Sequence, residues 1–330
     1  MDRNLRAWIG RSTEKRDIAA EGPIRRLAAL LDHDEPPWAP GALPPLGHWL
    51  YFLPEARQSS LGPDGHPTRG GFLPPVALPR RMWAGGRIDF LRRIPFGAEM
   101  TRRSTIADIA DKSGASGPMT FVAVRHEISV EGEVAIREER DIVYREAPNA
   151  GAPAPTRRSS PPAEDPDFSR TMAPGPVDLF RYSALTFDAH RIHYDRDYAT
   201  GIEGYPGLVV HGPLIATLLV DTLLRWKPAA PLARFAYRAR SPLFDGRPFG
   251  LFAKGAAEAA ILWAQTPGGQ VAMEATASSV LWPTSTGRCA AGSVTSSMPM
   301  SPPSKGSMRS PADGDAPFRA NRRSGRRAWE

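Results

Sequence analysis

One stretch, PLIATLLVDTLLRWK from Pro213 to Lys227, constrains the fold more than any other part of the chain. Pro213 suits the first position of a helix, and Pro228 stops that helix after Lys227. Its polar side chains, Thr217, Asp221 and Arg225, fall at a spacing of four and form one narrow stripe on which Asp221 and Arg225 can pair. A helix apolar over the rest of its surface has to be buried. Four strand-like runs follow, at 232–240, 248–254, 259–264 and 271–281, with turn signals at Asp245-Gly246 and Pro267-Gly268-Gly269. A buried helix followed by consecutive antiparallel strands predicts a sheet wrapped around that helix, an α+β layer arrangement.

The first part of the chain reads as a weaker version of the same plan. Residues 86–91, 101–111, 120–130 and 134–145 have β-rich or alternating composition and are split by turn signals at Pro95-Phe96-Gly97, 113–117 and Glu131-Gly132. Upstream, 24–31 and 46–53 read as short helices, and a short strand is expected at 179–185. Two ordered blocks, 1–145 and 177–283, are therefore expected, joined by a Pro-rich linker at 146–176. The last 47 residues, 284–330, hold nine Ser, five Pro and five Gly with few large apolar side chains, and read as a disordered basic tail. That tail carries +5 of the chain's net +7. The ordered body is thus nearly neutral, and no aromatic-interleaved basic strand points to specific nucleic-acid binding.

Cys289, the only cysteine, falls in the tail, so no disulfide or cysteine metal site forms within the chain. The N-terminal MDRNLRAWIGRSTEKRD has no apolar run of a secretory signal, and 207–224 is broken by His211, Gly212, Pro213 and Asp221, unlike a membrane span. A cytoplasmic protein without membrane attachment is expected.

The densest group of titratable side chains is Asp188-Ala-His190-Arg191-Ile-His193-Tyr194-Asp195, followed by Glu203-Gly-Tyr205-Pro-Gly207 and His211-Gly212. Three readings stay open on these residues alone. His190 and His193 have HxxH spacing, and with Asp195 or His211 they make a weak metal motif. The group also fits a satisfied polar turn. The third reading is acid–base catalysis: Asp188 and His193 lie five apart, about 140° around an ideal helix, so they converge only if the segment turns. Such a pair orients and deprotonates one water, while the Gly212 N–H at the buried helix's start faces a developing oxyanion.

The run from Phe180 to Asp195, with Glu203 to Leu214, resembles the double-hotdog hydratases and dehydratases of the MaoC-like superfamily. Leu61-Gly-Pro-Asp-Gly-His-Pro67, Gly70-Gly-Phe-Leu-Pro-Pro75 and Pro79-Arg-Arg-Met-Trp-Ala-Gly-Gly86 look like the N-terminal half of the same family. The resemblance covers about residues 5 to 283 and is similar in detail to mesaconyl-CoA hydratases and mitochondrial-type 3-hydroxyacyl-thioester dehydratases. It implies a double hotdog, each half an antiparallel sheet around a central helix, and reversible addition of water to a 2-enoyl thioester. It assigns catalysis to Asp188 and His193, with Asp195 as an alternative carboxylate, and the oxyanion contact to Gly212. Tyr205, Gly207, His211 and Arg191 are expected to line the substrate, Arg191 reading a free carboxylate. The first half, where Leu46-Gly47-His48-Trp49 lacks the Asp-to-His motif, is implied to be non-catalytic and to shape the acyl pocket or pantetheine channel. No metal or cofactor is expected beyond coenzyme A carried by the substrate, with acyl carrier protein the alternative carrier. A homo-oligomer is compatible with the family.

Overall fold

The computed structural model describes residues 3–114, 117–146, 165–228, 232–256 and 259–279. The heart of the expected linker, 147–164, and the expected tail lie outside the described residues. In chain order the elements are α1 (Arg3–Arg6), β1 (Ser12–Ile18), α2 (Glu21–Leu30), β2 (Arg80–Phe90), β3 (Glu99–Gly114), β4 (Gly117–Val130), β5 (Glu133–Arg145), β6 (Phe168–Met172), α3 (Pro176–Thr186), α4 (Gly212–Trp226), β7 (Leu232–Ala239), β8 (Phe249–Ala256), β9 (Ala259–Gln265) and β10 (Val271–Ser279).

The ten strands form one sheet in the order β1-β3-β4-β5-β2-β7-β10-β9-β8-β6. Counted from either edge inward, each half runs first, third, fourth, fifth, second strand. The duplication suggested by composition is therefore present in the topology. The halves join where β2 and β7 pair antiparallel, from Gly85 opposite Arg238 to Asp89 opposite Arg234. This is the double hotdog.

The halves differ in what fills them. In the second, α4 packs on β6, β8, β9 and β10, with ten consecutive residues from Leu214 to Leu223 buried. Each buried Leu, Ile or Val there contributes about 1.5–3 kcal/mol. In the first half the expected helix at 46–53 is a single 3₁₀ turn, Gly47–Leu50. Pro44, Pro45 and Pro54 bracket it, and Leu46 and Phe52 adopt positive φ, so the chain cannot propagate a helix there.

Two other expectations are corrected. Residues 179–185 form α3, not a strand: Pro176 starts the helix, the Asp178 carboxylate accepts from the Gly175 N–H at 2.8 Å, and Leu179, Tyr182 and Ser183 are its buried face. The linker ends earlier than 176, because β6 pairs with β8 from Phe168 opposite Ala253 to Met172 opposite Phe249. Strand β1, reading STEKRDI, was not anticipated, since a charged edge strand has no alternating apolar signal.

The polar stripe on α4 is an anchor. The Asp221 carboxylate, 2 % exposed, lies 2.7 Å from His33 Nε2, 2.7 Å from Arg170 Nη2 and 3.0 Å from Arg225 Nε. It ties α4 to the end of α2 and to β6. Asp221→Ala leaves buried cations without their counter-charge and is expected to cost about 3–5 kcal/mol of stability in chemical denaturation. A loss under about 1 kcal/mol, the range of an exposed ion pair, would contradict the anchor.

Candidate active site

Helix α3 ends at Phe187, whose φ of 50° is left-handed. The turn places the Asp188 N–H on Ser183 O at 2.8 Å, and Asp188 Oδ1 accepts from the His190 N–H at 3.0 Å. A 3₁₀ turn, Arg191–His193, then swings His193 back. Because the chain turns instead of continuing as a helix, residues five apart converge: His193 Nε2 stands 3.9 Å from Asp188 Oδ2. That gap is too long for a direct hydrogen bond and suits one water bonded to both atoms.

The imidazole is fixed on every side. Its Nδ1 is 2.7 Å from Val209 O, so Nδ1 carries the hydrogen and Nε2 offers its lone pair toward Asp188. Burial holds His193 below its ordinary pKa, against the opposing pull of the Asp188 carboxylate and the Val209 carbonyl. The ring stacks on His211 at 3.7 Å and 18°. His211, expected to line the substrate, is 1 % exposed, with Nε2 2.9 Å from Ser183 Oγ. Burial, with His193 and His190 nearby, holds it well below its ordinary pKa. His211 is thus a neutral platform under the candidate base.

Gly212 opens α4, where first-turn N–H groups have no intrahelical acceptor. A Cβ added there would stand 2.8 Å from Trp83 Cε3, so glycine lets β2 of the other half close against the helix start. The remaining expected residues are engaged elsewhere. Arg191, expected to read a substrate carboxylate, donates to Asp195 Oδ2 at 2.9 and 2.7 Å and to Pro63 O at 3.0 Å. Asp195, the alternative carboxylate, also accepts from the Tyr198 N–H. Tyr205 packs beside Phe244 beneath Arg80, and Gly207 is pressed against Asp245. These contacts shape the wall of the loop. The HxxH pair is divided as well: His190 groups with Asp64 and His66, and His193 with Asp188 and His211, each trio having ligand atoms within 4.8 Å of one another.

Sequence reasoning passed over what the first half brings. The Leu61-to-Pro67 loop lies against the Asp188–His193 turn: Gly65, at φ +88°, comes so close that a Cβ would stand 1.8 Å from Ala189 O. The Arg191 N–H donates to Asp64 O at 2.9 Å, and His66, whose Nδ1 is 2.9 Å from Asp64 Oδ2, lies 4.0 Å from the His190 ring. A Pro-Asp-Gly turn ending in His was the available signal.

The profile of the hydroxyacyl-thioester dehydratase type 2 family matches residues 46–245. Mesaconyl-C(4)-CoA hydratase of Chloroflexus aurantiacus is 50 % identical over 264 residues, 80 % of this chain and 93 % of that protein. The chain belongs to this family. The mitochondrial hydroxyacyl-thioester dehydratase type 2 of Schizosaccharomyces pombe is 28 % identical, over 75 % of this chain and 91 % of its own length. Among solved structures, a MaoC-like dehydratase from Phytophthora capsici superposes with a TM-score of 0.63 at 15 % identity, covering 84 % of this chain and 97 % of that one. Family membership carries hydro-lyase chemistry with it. Among the described residues no helix is long and apolar enough to cross a membrane.

Proposed function

We propose that this enzyme adds water reversibly across the double bond of a 2-enoyl-CoA thioester, with mesaconyl-C(4)-CoA as substrate and citramalyl-CoA as product. The reading rests on one observation above the others, the open 3.9 Å gap between a neutral His193 Nε2 and Asp188, beside the helix start at Gly212. The substrate class is supported by the 50 % identical relative.

A water held by Asp188 and His193 gives its proton to His193 Nε2, and its oxygen bonds to the β-carbon. The displaced π electrons move to the thioester oxygen, where the Gly212 N–H and the positive end of α4 meet the enolate. The enolate collapses, and the α-carbon takes the proton back from His193. The thioester is the electron sink, so this sequence of steps asks for no resident cofactor. Dehydration of a 3-hydroxyacyl thioester is the same path reversed, and the fission-yeast relative bears that name.

Loss of enoyl-thioester absorbance on mixing purified protein with mesaconyl-C(4)-CoA and with crotonyl-CoA tests the reading. No loss with either would leave a non-catalytic thioester-binding module ahead. Gly212→Ala separates the helix start from the base. Its methyl needs the space held by Trp83, so the oxyanion contact shifts, and kcat is expected to fall about 10- to 100-fold. The pH dependence should not move. Wild-type turnover in that variant would remove Gly212 from the reaction path.

A further inference from the structure

The concave side of the first half, where a second central helix would lie in a symmetric protein, holds charged and aromatic groups. Neighbouring strands carry them in two rows: Ser104, His126 and Glu138 stand side by side, and Arg140, Gly86 and Tyr237 form the next row. Arg140 donates to both Glu138 oxygens at 3.0–3.1 Å, and His48 Nε2 and Trp49 Nε1 approach the same carboxylate at 3.3 and 3.1 Å. Arg102, against the Phe52 ring, has the Phe52 carbonyl, at 3.4 Å, as its one hydrogen-bond acceptor among the described residues. Asp17, at the rim near Arg102, has its oxygens on the Ile18 and Phe52 amides. Burial pushes His126 down to about 3, so it adds no charge.

The cluster is short of acceptors. Tyr237 OH, Trp83 Nε1 and Arg102 Nε are all buried and find no hydrogen-bond partner among the described residues. Among the described residues of this cluster, Glu138 is the one buried carboxylate; it is bonded to Arg140 and also acts electrostatically on Arg102. Leaving this many buried donors unmatched is costly unless an acceptor arrives. Arg140 also keeps 29 % of its side-chain surface accessible, so it looks onto space rather than packed atoms. The cluster adjoins the reaction centre. Arg140 lies over the Trp83 ring at 5.9 Å, Trp83 packs on Tyr237 at 4.7 Å with the rings tilted by 45°, and Trp83 is the side chain pressed on Gly212.

We propose that Arg102, Arg140, Tyr237 and Trp83 form a cradle for a carboxylate on the acyl group, which makes the enzyme select dicarboxylic enoyl thioesters over plain acyl chains. The proposal rests on the hydratase reading above. In mesaconyl-C(4)-CoA the free carboxylate stands on the carbon that water attacks, so its reader has to border the Asp188–His193 site. The cradle does so, whereas Arg191 is closed on Asp195. A long apolar chain would leave the same donors unmatched and desolvated.

The test compares kcat/KM for mesaconyl-C(4)-CoA and crotonyl-CoA in wild type, Tyr237→Phe and Arg102→Met. The ratio between substrates is the readout, because intrinsic reactivity cancels when variants are compared. Neither variant breaks a strong internal bond. Arg140→Met is made together with Glu138→Gln, so that no buried carboxylate is stranded. Each variant is expected to lower the mesaconyl-to-crotonyl ratio 10- to 100-fold, mainly through KM for the mesaconyl substrate. Equal losses on both substrates, or an unchanged ratio, would overturn the cradle while the hydratase reading stands. Hydration of neither substrate by wild type would overturn both.

Discussion

His193→Ala is expected to reduce kcat for hydration about 10²- to 10⁴-fold, the span that a positioned general base supplies, with stability little changed. The size follows from the geometry: Val209 O holds Nδ1–H at 2.7 Å, which leaves the basic Nε2 3.9 Å from Asp188 Oδ2. The wild-type rate should also fall with decreasing pH. His193 acts as a base only when neutral, and burial holds its pKa below 6.5. The hydration rate is therefore flat above that lowered value and drops about tenfold per unit beneath it. Near wild-type turnover in the alanine variant would remove the base assignment.

The second large effect is expected at Asp188, and two substitutions separate its roles. Asp188→Ala loses the oxygen that holds the water and the acceptor for the His190 N–H, and should cost about 10²-fold or more in kcat. Asp188→Asn keeps an oxygen at the same place and should retain more activity. The asparagine also removes the negative charge that raises the His193 pKa. The acidic limb of the pH–rate profile should accordingly move to lower pH. A limb that moved upward, or an asparagine variant no better than alanine, would show that Asp188 does something other than hold water and bias the imidazole.

How much of this was legible beforehand divides by physical cause. Helix α4 announced itself, because a nearly all-apolar helix between two prolines has one fate, and the strands flanked by Gly turns followed. The pairing of Asp188 with His193 was legible only as a condition: a turn was required, and Phe187 at positive φ with the Arg191–His193 turn supplies it. Helix α3 was hidden because Leu179, Tyr182 and Ser183 cover its buried face with few apolar residues. The run read at 86–91 caught only the latter part of β2, which begins at Arg80; Gly85 and Gly86 lie inside the strand and are glycine so that Tyr237 can lie close. The cradle was illegible for a general reason. Arg102, Arg140 and Tyr237 are far apart in sequence and become neighbours only through strand register.

The single turn at Gly47–Leu50, opposite a full helix at α4, bears on how such a protein can diverge. Two identical hotdogs associating as separate chains are bound to share every mutation, so a residue changed to improve one copy is changed in the other. Here both copies lie in one chain. One could keep the helix and the base while the other gave up its helix and, in the emptied concavity, gathered cationic and aromatic groups. Selectivity for the acyl group and the water chemistry can then drift independently, since substitutions at Arg102 or Tyr237 leave the His193 turn untouched.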